Sequence, residues 1–218
     1  MRSWLRANVA ITAHRVGYIM GAGDQMPDAL RQLGLEVILL SQSDLEQGDL
    51  SRFDAIVAGV RAYNVRTDLR ANQARLMNYV KNGGTYVVQY QNADPLLSMG
   101  PYPFTVPGGN RYRVTMEEAP VTFPHVDSSL LQAPNHIGPK DFEGWVQERA
   151  LYVATKWDDH YQTVMASHDP GEESMEGGEL WTHYGKGVYI FTAYSWFRQL
   201  PAGVPGAFRL FANLLSAK

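Results

Sequence analysis

The chain has 218 residues, of which 45% are hydrophobic and 19% are charged, and its formal net charge is −3 at pH 7. This composition is typical of a globular domain with a substantial core, and it has neither the basic surplus of a nucleic-acid-binding protein nor the ~20-residue apolar run of a membrane span. Cysteine is absent, which excludes disulfides, thiolate metal ligands and a cysteine nucleophile.

The first 14 residues are expected to form a linker or a lead-in strand to a single domain that spans residues 15–218. Their basic start, MRSWLR, is similar to the first part of a signal peptide, but the apolar stretch after it is short and is interrupted by Asn8 and Thr12. So short a segment before the first predicted strand is consistent with a fragment of a longer protein. The compartment stays open at this point.

The first half of the chain alternates predicted strands and helices. Four short apolar runs are predicted to be buried strands: residues 15–20, 36–40, 53–60 and 85–90. Asp24 is the predicted N-cap of the first helix, with Pro27 in its first turn, and Thr67 is the predicted cap of a later helix. Such alternation with short glycine turns predicts right-handed crossovers and an α/β fold, with helices on both faces of a parallel sheet.

After Gln91 the pattern changes. Residues 93–150 are predicted to be an irregular, β-rich insertion, because eight of the twelve prolines lie between residues 95 and 139. The expected elements are a hairpin of residues 111–115 and 119–123, a short helix over 141–150, strands over 151–155 and 162–167, a hairpin of 180–184 and 188–193, and an amphipathic helix over 204–215.

Four segments carry a family resemblance: GYIMGAGD (residues 17–24), FDAIVAGVRAYN (residues 53–64), GWVQER (residues 144–149) and the stretch from YGKG to FRQLPAG (residues 184–203). Together they resemble the C-terminal domain of large PIG-L (LmbE-like) family deacetylases. The resemblance extends over nearly the whole chain. It implies a class I glutamine amidotransferase-like, flavodoxin-like fold, with the irregular insertion and a C-terminal β-hairpin and helix added to the parallel sheet.

In such proteins the zinc-dependent deacetylase is a separate N-terminal domain. The resemblance therefore implies no cofactor in this chain, with zinc only in that other domain. It implies a non-catalytic accessory module that assists glycan or glycoconjugate binding or packs on the deacetylase domain. The expected partners are that domain, in the same protein or in trans, and a carbohydrate, but neither nucleic acid nor a membrane. A bacterial origin and export as part of a longer protein are further expectations of the resemblance.

The amidotransferase chemistry of this fold requires a cysteine at a strand-to-helix bend and a later histidine with glutamate two residues beyond it. Here the bend follows the fourth predicted strand and reads Tyr90-Gln91-Asn92, and no histidine of the chain has glutamate at the second position after it. Gln and Asn are not nucleophiles. The fold resemblance therefore does not carry amidotransferase activity to this chain.

The predicted ligand site lies at the carboxyl edge of the sheet, where ligands bind in open α/β folds. Its predicted members are Gly23, Asp24, Arg61, Tyr63, Asn64, Gln91 and Asn92, joined by Trp196 and Arg198 after a later strand. A guanidinium at this edge can hold a carboxylate or phosphate through two parallel hydrogen bonds. Amide side chains suit sugar hydroxyls, since they offer both donors and acceptors.

These assignments have structural alternatives. Arg61 could instead pair with Asp24 or Glu148, because a buried arginine is seldom left without an acceptor. The amides after the fourth strand could satisfy backbone groups of a crowded loop. Trp196 could fill the core, although its place directly after a strand favours the surface.

A weaker alternative is a metal site at His168, Asp169 and Glu172, which would make the chain a stand-alone metal-assisted hydrolase. Imidazole and carboxylate groups are ligands that zinc accepts. However, the order His-Asp-Pro differs from the similar His-Pro-Asp-Asp signature of the deacetylases, and Asp-Pro-Gly is typical of a solvated turn. The metal interpretation requires a third histidine or carboxylate within ligand distance of His168.

Overall fold

The computed structural model describes residues 2–218, and a seven-stranded sheet forms its centre. The strands are β1 (Arg15–Ile19), β2 (Glu36–Leu39), β3 (Ala55–Ala58), β4 (Thr85–Val88), β5 (Phe104–Thr105), β6 (Val121–Thr122), β7 (Lys156–Trp157), β8 (Gln162–Thr163), β9 (Ala166–Ser167), β10 (Glu179–Tyr184) and β11 (Gly187–Thr192). The helices are α1 (Arg2–Asn8), α2 (Met26–Gln32), α3 (Gln42–Gln47), α4 (Ala62–Val65), α5 (Thr67–Ala71), α6 (Gln73–Lys81), α7 (Ser129–Gln132), α8 (Trp196–Ala202) and α9 (Pro205–Ser216). No helix among these residues is long and apolar enough to span a membrane.

The sheet has the order β2-β1-β3-β4-β11-β10-β8. Its first five strands pair in parallel, and β10 and β8 continue it in antiparallel pairing. Every residue of β3 and β4 is buried, as expected of parallel strands covered by helices on both faces. The parallel pairing of these five strands confirms the predicted α/β class and parallel core.

The stretch expected to be a linker or a lead-in strand begins with the helix α1 (Arg2–Asn8) and contains no strand between residues 2 and 14. The sequence of α1, RSWLRAN, contains residues that favour helix and has no β-branched residue. Leu5 on this helix is fully buried. The residues that follow are tied to distant parts of the chain, since the Ala10 amide donates to Asn135 Oδ1 at 2.9 Å and the Thr12 amide donates to Ser216 Oγ at 3.0 Å.

The helix boundaries differ from the predicted caps. Gln25, not Asp24, is the N-cap of α2, although Asp24 Oδ1 does accept a hydrogen bond of 2.9 Å from the Met26 amide. Thr67 lies inside the first turn of α5 rather than at its cap, and Asn72 separates α5 from α6 where one helix was expected. The sequence analysis also missed α3, which begins with a capping box of Ser41 and Asp44.

Most of the predicted elements of the insertion are wrong. Residues 111–115 and 119–123 do not pair with each other, because Val114 forms a bridge with Ala150 and β6 pairs with β9. The expected helix over 141–150 is replaced by a 3-10 helix at Pro139–Phe142 and a turn, in which Gly144 and Gln147 have φ angles of 70° and 66°. Residues 151–155 form no strand, and the strand expected over 162–167 is divided into β8 and β9.

The predicted C-terminal hairpin and helix are confirmed as β10, β11 and α9. Tyr184 and Gly187 are opposite each other at the turn, and Val188–Phe191 of β11 align with Thr85–Val88 of β4. The apolar stripe of α9 is buried, including Phe208 and Phe211. Because β11 runs parallel to β4, its carboxyl end and the start of α8 lie at the same sheet edge as the bend after β4.

Candidate ligand-binding site

A hydrogen-bonded network of Tyr18, Asp24 and Gln89 lies at the carboxyl edge of the sheet. The Tyr18 hydroxyl lies 2.8 Å from both carboxylate oxygens of Asp24, to which it donates, and it accepts from Gln89 Nε2 at 2.9 Å. Burial raises the pKa of Asp24, while the Tyr18 hydroxyl opposes that rise. Burial and the Asp24 charge raise the pKa of Tyr18 well above its usual range. Asp24 therefore links the start of α2, through the Met26 amide, to the Tyr18 side chain of β1.

Gly23, just before this network, is exposed and has a φ angle of 105°. A Cβ atom at this position would meet no neighbouring atom, so the backbone conformation and not lack of space favours glycine. The turn carries the chain from β1 into α2.

Tyr63 and Gln91 are fully buried, so their side chains do not face a ligand at the surface. Gln91 Oε1 accepts a hydrogen bond of 2.9 Å from the Tyr63 amide, and Gln91 Nε2 donates to the Gln89 carbonyl at 2.8 Å. The Tyr63 hydroxyl lies 2.8 Å from that of Tyr86. For Gln91, the alternative in which the amide satisfies backbone groups is the one that the structure shows.

Asn64 and Asn92 join α4 to the loop after β4. Asn64 Nδ2 donates to the Asn92 carbonyl at 3.1 Å, and the Asn92 amide donates to Asn64 Oδ1 at 2.8 Å. Asn64 is therefore engaged with the backbone. The Asn92 side chain is half-buried and has no hydrogen-bond partner among the described residues, so its amide remains available at the edge.

Arg61 lies directly at the carboxyl end of β3 and has a left-handed backbone, with φ 57° and ψ 21°. Its backbone amide donates to the Tyr90 carbonyl at 3.0 Å. Its Nε atom is buried and has no hydrogen-bond partner among residues 2–218, and its guanidinium pairs with neither Asp24 nor Glu148. The structural pairing offered as an alternative for Arg61 is therefore not formed.

Glu148 pairs instead with two other arginines. Its side chain is buried; Oε1 accepts from Arg198 Nε at 2.8 Å and Oε2 accepts from Arg113 Nη2 at 2.5 Å. The hydrogen bond to Glu148 raises the pKa of Arg113. The Nε atom of Arg113 is buried and has no partner in the described part of the chain.

Tyr90 brings these groups together. Its ring centroid lies 6.1 Å from that of Tyr152 and 5.4 Å from that of Phe197, and the Arg198 guanidinium carbon lies 4.8 Å from the Phe197 ring centroid. The Arg113 guanidinium carbon lies 5.8 Å from the Tyr152 ring centroid. Burial raises the pKa of Tyr90, and the charges of Arg61 and Arg198 oppose that rise.

We define the Tyr90 cluster by its members, which are Arg61, Tyr90, Arg113, Glu148, Tyr152 and Arg198. Of these, the sequence analysis placed only Arg61 and Arg198 in the ligand site. Arg113 and Tyr152 come from the irregular part of the chain, and no strand end or motif marks them. Glu148 was considered only as a structural partner of Arg61, and Tyr90 was considered only as part of the bend.

The prediction that Trp196 lies at the surface is wrong. Its side chain is fully buried and donates from Nε1 to Thr192 Oγ1 at 2.8 Å. Its ring centroid lies 5.3 Å from that of Trp145 and 5.9 Å from that of Phe211. The cause is that only three residues separate α8 from β11 and the first residue of α8 packs into the core, while Arg198 remains half-exposed.

The segment around His168 has the geometry of a turn. The Asp169 carboxylate accepts hydrogen bonds of 2.9 Å from the Thr115 amide and 3.0 Å from the Met116 amide, and His168 Nδ1 lies 2.9 Å from the Asp169 carbonyl. Burial would raise the pKa of Asp169, but these hydrogen bonds outweigh it and lower the pKa. No group of three or more His, Asp or Glu side chains within residues 2–218 is placed to hold a metal ion, so the required third ligand of His168 is not found there.

No protein-family model matches the chain, and no curated protein matches it. Solved structures do match its fold. PurLQS from Thermotoga maritima is 12% identical with a TM-score of 0.60, over 94% of this chain and 98% of that one. The cytoplasmic protein STM3548 from Salmonella typhimurium is 14% identical with a TM-score of 0.56, over 94% and 98% of the two chains.

A third similar structure is the β-galactosidase from Rahnella sp. R3, which is 16% identical with a TM-score of 0.51. The match covers 94% of this chain but 31% of the β-galactosidase chain. Identities this low establish the fold alone. The chain has the class I glutamine amidotransferase-like fold, a flavodoxin-like α/β arrangement around a mostly parallel sheet.

Proposed function

We propose that this chain is a non-catalytic binding module that acts beside a PIG-L (LmbE-like) deacetylase domain, in the same protein or in trans, and helps to hold a glycan or glycoconjugate. One observation carries the non-catalytic part of the proposal. The bend after β4, where this fold uses a cysteine nucleophile, consists of Tyr90, Gln91 and Asn92.

The surroundings of the bend support the same conclusion. Both polar atoms of the Gln91 side chain are engaged by backbone groups: Oε1 accepts from the Tyr63 amide and Nε2 donates to the Gln89 carbonyl. Burial raises the pKa of Tyr90 above the ordinary tyrosine value, which itself lies well above neutral pH. None of the hydrogen bonds made by the histidines of residues 2–218 reaches this bend, so the histidine that amidotransferase chemistry requires is not in contact with it.

Two observations support the partner and the ligand in this proposal. The partner rests on the resemblance of residues 17–24, 53–64, 144–149 and 184–203 to the C-terminal domain of large PIG-L proteins. The carbohydrate rests on that resemblance and on the carboxyl edge of the sheet, where the half-buried Asn92 offers a side-chain amide without a hydrogen-bond partner among the described residues. The β-galactosidase match provides a precedent, because there a similar fold is one part of a longer carbohydrate-processing chain.

Calorimetric titration tests the proposal. The purified chain is titrated with N-acetylglucosamine oligosaccharides and, separately, with the deacetylase domain of a large PIG-L protein. Binding to at least one of them is expected, and binding to neither would overturn the proposal. Asn92→Ala should weaken sugar binding, whereas Asn82→Ala, an exposed amide at the opposite edge of the sheet after α6, should leave it unchanged.

A further inference from the structure

The Tyr90 cluster has an imbalance of charge. Three guanidinium groups, those of Arg61, Arg113 and Arg198, accompany the single carboxylate of Glu148. Both oxygens of that carboxylate are already engaged by Arg113 and Arg198. The charge of Arg61 therefore has no counter-charge among the described residues of the cluster, so the cluster carries more positive than negative groups although the whole chain is acidic.

The cluster also contains donors without acceptors. Arg61 Nε and Arg113 Nε are both buried and have no hydrogen-bond partner in residues 2–218. A buried donor without a partner is destabilising, and more so when the group is charged. Two such donors in one cluster indicate that an acceptor is supplied from outside the chain. An oxyanion satisfies this need best, because charge-assisted hydrogen bonds from arginine to an oxyanion are the strongest of their kind.

Backbone strain is concentrated in the same place. Among residues 2–218 the non-glycine residues with positive φ are Arg61, Gln147 and Tyr152, with φ angles of 57°, 66° and 55°. Two of them belong to the cluster and the third precedes Glu148. A left-handed backbone is unfavourable for a non-glycine residue, and such strain persists at sites where side chains must be held in place.

We infer that the Tyr90 cluster binds the oxyanion, a carboxylate or a phosphate, of an acidic glycan or sugar derivative, with Arg61 as its principal cation. The site is reachable from solvent because Tyr90 and Tyr152 are half-buried, and the side chains of Arg113 and Arg198 are 26% and 32% exposed. The two tyrosine rings provide apolar surface for the sugar ring beside the charged group. This inference rests on the proposed function and names the charged group that its ligand carries.

Titration of the purified chain with four probes tests the inference: glucose 6-phosphate, glucuronate, glucose and inorganic phosphate. The two acidic sugars should bind at least about tenfold more tightly than glucose, as expected for one charge-assisted hydrogen-bond pair. Tighter binding of glucose 6-phosphate, with competition by inorganic phosphate, would assign a phosphate. Tighter binding of glucuronate would assign a carboxylate.

Matched variants separate the site from general attraction by charge. Arg61→Gln should weaken binding of the acidic sugars about tenfold or more, whereas Arg52→Gln, which removes the same charge before β3 at the opposite edge, should not. If Arg61→Gln fails to fold, Arg61→Gly removes the same group and suits the left-handed backbone. Equal effects of the variants at 61 and 52, or equal affinity for glucose and the acidic sugars, would overturn the inference.

The same titrations distinguish failure of the oxyanion site from failure of the proposed function. Binding of neutral oligosaccharides or of the deacetylase domain without a preference for acidic sugars would overturn the oxyanion site and leave the proposed function standing. Absence of binding to every sugar and to the deacetylase domain would overturn both. Binding of acidic sugars that depends on Arg61 would support the oxyanion site, whether or not the deacetylase domain binds.

Discussion

The backbone amide of Arg61 donates a hydrogen bond of 3.0 Å to the carbonyl oxygen of Tyr90. This bond joins the end of β3 to the bend after β4, so the left-handed turn at Arg61 and the position of the Tyr90 ring depend on each other. As a result, a guanidinium group lies beside the bend where this fold otherwise uses a nucleophile. This arrangement supports the proposal that the edge of the sheet holds an anion, and the bend itself carries no cysteine that could attack a carbonyl group.

Arg61→Gly should separate the binding role of Arg61 from its structural role. Glycine adopts positive φ without steric cost, although it is more flexible in the unfolded chain, so the free energy of unfolding should stay the same or rise by up to about 1 kcal/mol. Binding of glucose 6-phosphate should nevertheless be lost. Urea denaturation and calorimetric titration measure the two effects.

The control for this variant is Arg52→Gly, at a position without positive φ, which should lower the free energy of unfolding because glycine only adds flexibility there. If Arg61→Gly lost more stability than Arg52→Gly, Arg61 would be a structural residue and the binding site would lose its main support.

Glu148→Gln should have opposite effects on affinity and stability. The variant removes the carboxylate that competes with a ligand for Arg113 and Arg198, so the affinity for glucose 6-phosphate should rise several-fold. It also replaces two charge-assisted hydrogen bonds of a buried group, which should lower the free energy of unfolding by about 1–3 kcal/mol. Glu143→Gln removes an equal charge from an exposed position nearby. An equal rise in affinity for that control would show that only long-range charge is involved.

Glu179→Gln should change how stability depends on pH. Glu179 is fully buried opposite Thr192, and burial raises its pKa from an ordinary 4.5 to about 8, while the hydrogen bond with Thr192 opposes the rise. Between about pH 4.5 and 8 the carboxyl group keeps its proton in the folded state but has lost it in the unfolded state. The free energy of unfolding therefore falls as pH rises through that window.

Glutamine does not ionise, so Glu179→Gln should match the unchanged chain below pH 4.5 and exceed it by a few kcal/mol in free energy of unfolding at pH 9. Urea denaturation at a series of pH values measures this difference. The exposed Glu173→Gln should show no such divergence. A constant difference between Glu179→Gln and the unchanged chain at every pH would contradict the burial of an ionisable group.

Asp24→Ala should destabilise the chain more than an equivalent change on the surface of the same helix. It removes the acceptor of the buried Tyr18 hydroxyl and of the Met26 amide, which should cost about 1–3 kcal/mol. Asp28→Ala on α2 removes only an exposed pair with Arg31 and should cost no more than about 1 kcal/mol. Equal losses in urea denaturation would show that the Tyr18 network does not hold the edge of the sheet.

The parallel core could be predicted because local sequence and burial agree there. β3 and β4 are buried on both faces, so their sequences are continuous apolar runs. Such runs can be recognised in the sequence without knowing which strands pair with them. The same holds for the hairpin of β10 and β11, whose turn contains Gly185 with a φ angle of 62°. The insertion could not be predicted, because strands as short as β6 exist only through pairing with distant residues such as those of β9.

The candidate site likewise contains residues that local sequence predicts and residues that only distant pairing brings into place. Arg61 was predicted because it follows β3 directly and the carboxyl edge of a parallel sheet is a known position for ligands. Arg113 and Tyr152 were missed because they reach the site through the bridge between Val114 and Ala150, a contact that no local pattern indicates. Burial misled the interpretation of Tyr63, Gln91 and Trp196, since residues next to a strand end can turn inwards as readily as outwards.

Turnover by the purified chain tests the central claim most directly. The chain is incubated with glutamine and, separately, with an N-acetylated sugar, and the release of ammonia or acetate is measured against buffer. Because the bend of Tyr90, Gln91 and Asn92 lacks the cysteine that this fold uses as its nucleophile, release should equal the buffer rate for both compounds. Release above that rate, retained after further purification, would contradict the claim that this edge of the sheet binds without reacting.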